Sequence, residues 1–272
     1  MSLDASYRAR AIPAGSARHW SWLFASPECR APLLGIYALL AEWSALMDPA
    51  SEASAARIKL AWWQEETRRL TAGAPIHPIS AYLKSLPCAA QADFAPLQRS
   101  IDAAAAEVAG APLERGADLA PHAHALRAFP LAVASRLAGG DFDEPGLREC
   151  TQALAEAEHL SRLVADYRRA ALAGRVPFAV DELMAAGIDN ADLAAEQPPA
   201  QLANYLALLR ERAAQRYEFA ALVLPRAQRR QQRHLLVLAA LGLKHLRGTP
   251  SRESGMPQDM LLAWNTARRA GN

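Results

Sequence analysis

Alanine, the residue that costs a helix least, recurs on nearly every segment of this 272-residue chain, and no run of β-branched residues offers a strand. Proline and glycine cut the alanine-rich stretches apart. Ser26-Pro27 starts a helical turn, with serine as N-cap and proline in the first position; the helix covers 31–47 and Pro49 stops it. Ser51 or Ser54 caps the next, which reaches Thr71 before Gly73, with Ile58, Trp62 and Leu70 recurring at helical intervals. A proline-rich turn, APIHP, leads to a short helix over 79–86 that Pro87 closes, and Phe94, Leu97, Ile101 and Val108 mark another that ends at Gly110. Helices over 118–137 and 145–172 follow, separated by Gly139-Gly140. Past Pro177 come a short helix at 180–186, long ones at 199–224 and 226–247, and a last one at 258–270 after a mobile linker, GTPSRESGMP.

The pattern predicts an all-α chain. No linker divides it, so residues 1–272 are expected to form a single domain large enough for a substantial core, with 1–15 as a flexible N-terminal segment. A net charge of +2 argues against a nucleic-acid partner. Cys29, Cys88 and Cys150 are odd in number and widely spaced, which fits a reducing compartment and gives neither a zinc pattern nor a disulfide framework. The N-terminus has basic residues without the apolar core of a secretory signal. The longest apolar run, 235–243, is far short of the ~20 residues a bilayer span requires. These features lead us to expect a cytoplasmic protein with at most peripheral membrane contact.

Two blocks carry more specific information. One is RIKLAWWQEETRRLTAGAPIHPISAYL, a KL-x-WW-x-E helix followed by a G-x-P-x-HP turn; the other is AGRVPFAVDELMAAGI, with Gly174, Arg175, Glu182, Leu183 and Gly187. With SARHWSWLFASPECRAPLLGIYALL before them and RERAAQRYEFAALVLPR and MPQDMLLAW after, the chain resembles the squalene/phytoene synthase family over most of its length. That resemblance implies an isoprenoid synthase-type helical bundle around a central, largely apolar cavity. Its members join two prenyl diphosphates head to head, and paired aspartates four residues apart hold the Mg²⁺ ions that bind the diphosphate.

Here each pair is halved. Within YALLAEWSALMD, Asp48 stands alone, because the position four residues earlier is Ser44; Asp166 stands alone, because the position four residues later is Ala170. On the resemblance, Asp48 and Asp166 are degenerate metal ligands, Glu42 and Asp102 are nearby acidic candidates, and Tyr37, Ser44, His159, Arg162 and Arg169 are substrate-binding candidates. His159, Arg162 and Arg169 occupy positions where the family has Gln, Asn and Glu, and with Asp166 they share one helical face. Arginine repels a metal and binds phosphate or carboxylate directly.

Structural roles compete with these. An aspartate before proline is common turn chemistry, and Arg162, Asp166 and Arg169 fit a salt-bridged surface stripe. Two residues apart on a helix, His122 and His124 point in different directions. Glu156-x-x-His159 occurs once, where a di-iron bundle needs two copies and further glutamates. Trp62 and Trp63 suit packing, and the tract PRAQRRQQRH suits a solvated helix face, with contact to anionic lipid or an acidic partner as the lesser use.

Three readings of function follow. The first is a non-catalytic binding or assembly module with a protein partner, like the superfamily's respiratory complex I assembly factors, which also lack the full aspartate set. The second is an active Mg²⁺-dependent head-to-head prenyltransferase making a squalene- or phytoene-type product in terpenoid biosynthesis. The third is a helical protein whose pocket takes an unrelated lipophilic or anionic ligand. A prenyl diphosphate or another anionic, lipid-like molecule is the expected ligand.

Overall fold

The computed structural model describes residues 2–110, 112–142, 144–248 and 256–271, and the helices among them follow the punctuation of the sequence. Helices α1 (Ala5–Ala11), α2 (Ala17–Leu23), α3 (Pro27–Leu46), α4 (Ala53–Ala72), α5 (Pro78–Lys84) and α6 (Pro96–Ala109) build the first part. Then come α7 (Leu119–Ala123), a π-helical turn (His124–Ala128), α8 (Phe129–Leu137) and the long α9 (Pro145–Leu172). The rest is α10 (Val180–Ala186), α11 (Asn190–Ala194), α12 (Ala200–Val223), α13 (Arg226–Arg229), α14 (Arg233–Arg247) and α15 (Met256–Gly271). No strand occurs among the described residues, and the expected mobile linker lies largely outside them, at 249–255.

Helix α9 packs along α12, and α14 lies against both. The larger core gathers Leu33, Ile36, Tyr37 and Trp43 of α3, Leu60 and Trp63 of α4, Leu97 and Ile101 of α6, Leu131 of α8 and the first half of α9, Leu147 to Ala157. A second core forms around the other half of α9, where Leu160, Leu163 and Val164 meet Phe178, Leu183, Tyr205 and Leu209. Helices α9 and α12 therefore each belong to two cores, and the space between the cores lies along the polar face of α9.

Several expectations need correction. The N-terminal segment, expected to be flexible, contains α1, which Asp4 caps and whose end buries Ala11 and Ile12 in the larger core. The expected helix over 118–137 is split because Pro130 has no N–H to return to the carbonyl of Leu126; the chain widens, and Phe129 N–H reaches His124 O. The expected helix over 226–247 breaks into α13 and α14. Its arginines are not simply solvated: Arg229 donates to Ala221, Leu222 and Leu224 carbonyls at the end of α12, and Arg233 to Phe24 and Ala25 carbonyls. On α4 the buried face runs through Leu60, Trp63 and Leu70, while Ile58 and Trp62 face outward.

The KL-x-WW helix and its proline turn are one structural unit. Glu66, fully buried, accepts from the backbone N–H groups of Ile76 and His77 at 3.1 and 2.8 Å. His77 in turn packs on Trp63, with ring centroids 4.5 Å apart. Glu66→Ala leaves those two amides without an acceptor, so we expect a loss of about 3 kcal/mol in denaturant-unfolding stability, against less than about 1 kcal/mol for the exposed Glu65→Ala.

Candidate functional site

A cavity of about 490 Å³ opens between the two cores, a size typical of ligand sites. Its wall is made by the end of α3 and the following turn (Ser44, Met47, Asp48, Pro49), the end of α6 (Ala106, Glu107), His122, Arg127 of the π turn, α9, and residues 175–177. His159, Arg162, Asp166 and Arg169 all line it, as their shared face requires. Ten residues of α9 separate the first from the last, about 15 Å at helical rise. Exposure increases along that run, from 2% for His159 to side-chain values of 26% for Arg162, 40% for Asp166 and 51% for Arg169. His159 marks the floor and Arg169 the mouth.

At the mouth, one guanidinium joins the two surviving aspartates. Arg169 Nη1 lies 3.2 Å from Asp48 Oδ2, and its Nη2 lies 3.2 Å from Asp166 Oδ1. Asp48 serves the turn as well, its Oδ1 accepting from Ala50 N–H at 2.8 Å. The Asp48 turn is also tied from the other side, because Arg175 donates to Met47 O at the C-terminus of α3 at 3.0 Å. A Mg²⁺ cluster does not fit this donor set. The carboxylates point to a fixed cation rather than to a common vacant centre, Ser44 and Ala170 offer no carboxylate, and no group of three His, Cys, Asp or Glu side chains among the described residues is arranged to hold a metal.

At the floor, Glu107 organises the charges. Its Oε1 accepts from Arg162 Nη2 at 2.8 Å, and its Oε2 lies 3.3 Å from His122 Nε2. Burial alone would raise this carboxyl, but the His122 hydrogen bond and the Arg162 charge outweigh it and hold the group well below the usual carboxylate range. His159 packs edge-on to His122, with ring centroids 5.4 Å apart. Burial, reinforced by the Arg162 charge, pushes the His159 pKa well below its ordinary value, so the ring is neutral at pH 7. Arg127 reaches only to 3.7 Å from Glu158, and burial followed by the Arg162 charge brings its pKa down to about 10. The expected largely apolar interior is therefore charged at its deep end, with Leu113, Leu163 and Val176 along the wall.

The other sequence candidates are dispersed. Tyr37 is buried outside this cavity, its hydroxyl 3.0 Å from Ser21 Oγ. Glu42 pairs with Arg10, and Asp102 accepts from Gln64 and Gln98, so neither acidic candidate reaches the site. His124 and Arg216 engage Glu156, which separates Glu156 from His159 and disposes of the paired-metal spacing. Glu182 accepts from Tyr205 and Arg212 and so braces α10 against α12. Glu107 and Arg127 were not among the sequence candidates, while Arg175 was read only as part of a family block and His122 only as half of an unsuited pair with His124. A signal existed for Glu107: on α6, Leu97, Ile101, Ala104 and Val108 define the buried face, which Glu107 flanks and Asp102 opposes.

These helices around a charged cavity define an isoprenoid synthase-type fold. A squalene/phytoene synthase family profile matches residues 13–255, and the chain belongs to that family. A dehydrosqualene synthase solved with a ligand is similar at a TM-score of 0.75 and 13% identity, over 97% of each chain. The squalene synthase HpnC from Alicyclobacillus acidocaldarius is similar at 0.67 and 17% identity, over 98% of this chain and 94% of its own. No curated protein matches in sequence. No helix among the described residues is long and apolar enough to cross a membrane.

Because the Glu107 carboxyl is depressed in the folded state, the stability it contributes is present above its unfolded value of about 4.5 and is lost as pH falls through the lower folded value. Glu107→Gln should cost roughly 2 kcal/mol at pH 7 and flatten the acid limb of the stability curve below pH 4.5. Urea melts of parent and variant at several pH values check both.

Proposed function

We propose that this member of the squalene/phytoene synthase family does not carry out Mg²⁺-dependent prenyl coupling and acts as a binding or assembly module whose cavity takes an anionic, lipid-like ligand without metal. The observation that carries this reading is Arg169 between Asp48 and Asp166. Ionising a prenyl diphosphate requires stabilisation of a developing multiply charged leaving group, which the family's metal cluster supplies. A guanidinium already paired with two carboxylates contributes little net charge there. The deep end adds a second argument, since a prenyl chain reaching inward from the mouth would desolvate Glu107, Arg127 and Arg162 without offering them partners.

Its chemistry makes the reading testable at the mouth. Parent protein incubated with farnesyl diphosphate and Mg²⁺ should release no pyrophosphate; release at a steady catalytic rate would instead favour an active prenyltransferase with an altered metal site. Removing the internal cation should open the aspartates to metal. Arg169→Ala is expected to lose no more than about 1 kcal/mol, because the bridge is half exposed. The variant should then gain about 3 °C in melting temperature on adding Mg²⁺, where the parent gains none. Equal shifts in parent and variant would remove the argument from Arg169.

A further inference from the structure

Helix α15 is apolar on two sides. Its inner face, Ala263 and Ala267, is buried against Trp20 of α2 and Val237 and Leu241 of α14. Asp259 fixes the roll of the helix: this buried carboxylate accepts from Lys244 Nζ at 2.7 Å and lies 2.8 Å from His245 Nε2. With that face turned inward, Met260, Leu261 and Trp264 remain 47%, 55% and 45% exposed on the outside. Single exposed apolar residues are ordinary on a protein surface, but three large ones within five residues of one helix form a patch. Leu261, Trp264 and Arg268 follow each other at three- and four-residue intervals, and the Arg268 guanidinium lies over the Trp264 ring, 4.9 Å from its centroid. Arg268 and Arg269 are exposed and form no ion pair among the described residues. Asp259 is the one acid of α15, and it faces inward.

A helix with apolar residues on both sides calls for something to cover each of them, and charge identifies what suits the outer one. Residues 225–272 hold nine arginines and lysines against two acids, a net +7 in a chain whose total is +2, so the preceding residues carry −5. Arg226 and Arg230 of the neighbouring basic tract are exposed as well. We propose that the outer face of α15 docks this protein on an anionic bilayer surface, with Met260, Leu261 and Trp264 at the boundary between headgroups and acyl chains and Arg268 and Arg269 on lipid phosphates. A protein partner would have to supply a shaped recess for the indole, whereas a bilayer interface takes Met, Leu and Trp side chains without one and favours indole at headgroup depth. At 16 residues, α15 lies along the surface and does not cross it. This goes beyond the reading of the cavity and holds whether or not the cavity is catalytic.

Flotation of the full chain with phosphatidylcholine vesicles, with and without phosphatidylglycerol, tests the surface. The parent should float with the anionic vesicles, stay behind with phosphatidylcholine alone, and lose binding as salt is raised. Trp264→Ser and Leu261→Ser should each weaken binding about tenfold, the equivalent of one large apolar side chain withdrawn from the interface. Both side chains point outward, so the melting temperatures of these variants should stay near that of the parent. Reversing charge with Arg268→Glu and Arg269→Glu together should abolish flotation. Depth is read separately: brominated acyl chains should quench part of the parent fluorescence, and Trp264→Phe should float yet lose that quenching, although five other tryptophans remain. The proposal is overturned if the parent does not float with anionic vesicles, if the serine variants float as the parent does, or if quenching persists without Trp264. It is equally overturned if the parent ignores vesicles and self-associates in sedimentation until Trp264→Ser makes it monomeric, because the face is then a contact between copies of the chain.

Discussion

Helix α9 has to meet two environments along one length, and the architecture of the cavity follows from that demand. Its buried stripe, Leu147, Leu154, Leu160 and Leu163, passes from one hydrophobic core to the next without a break. The stripe leaves one adjoining face unpacked, and the residues there decide what the cavity is. Spacing of three and four residues keeps His159, Arg162, Asp166 and Arg169 in register with each other. The helix thus delivers polar groups at graded depth, and its partners only close the walls. Helix α3 supplies the opposite rim at Asp48, α6 supplies Glu107, and the π turn supplies Arg127. Helix α12 runs beside it across both cores, so the two long helices together hold the junction at which the cavity opens.

Much of this fold was legible in the chain because helix punctuation is local chemistry. Pro145, Gly187 and the caps around them act within a few residues, and the bounds of α9 and α10 are those read from the sequence. What sequence reasoning missed depended on distant partners. Nothing local reveals that the missing N–H of Pro130 will be absorbed by a wider turn rather than a kink, yet that turn carries Arg127 into the cavity. Likewise, Glu42 and Asp102 looked as suitable as Glu107 by residue type. Their fates were decided by Arg10, Gln64 and Gln98, which only the folded chain brings near. The shared face of α9 was readable; the engagement of its arginines with carboxylates from other helices was not.

The strongest family blocks in the sequence turn out to describe scaffolding. Glu66 anchors the backbone of the proline turn, Arg175 ties the loop after α9 to the end of α3, and Glu182 braces α10 against α12. Each satisfies backbone or side-chain groups that the fold would otherwise bury unpaired. Such residues stay useful in any member that keeps the architecture, whether or not it keeps the chemistry. The residues that carry the family resemblance in this chain are therefore largely ones that hold the architecture together.

The bridge from Asp48 through Arg169 to Asp166 spans 121 residues of sequence between its first two members. A mouth built for metal is held together by something that comes and goes: its carboxylates repel until the ion arrives, and ordering is part of each binding event. A covalently attached cation removes that step. The rim here carries its own counter-charge, supplied by a side chain of the fold rather than by an ion taken from solution. Part of the ordering that a metal would impose on such carboxylates on arrival is thereby moved into the folding of the chain.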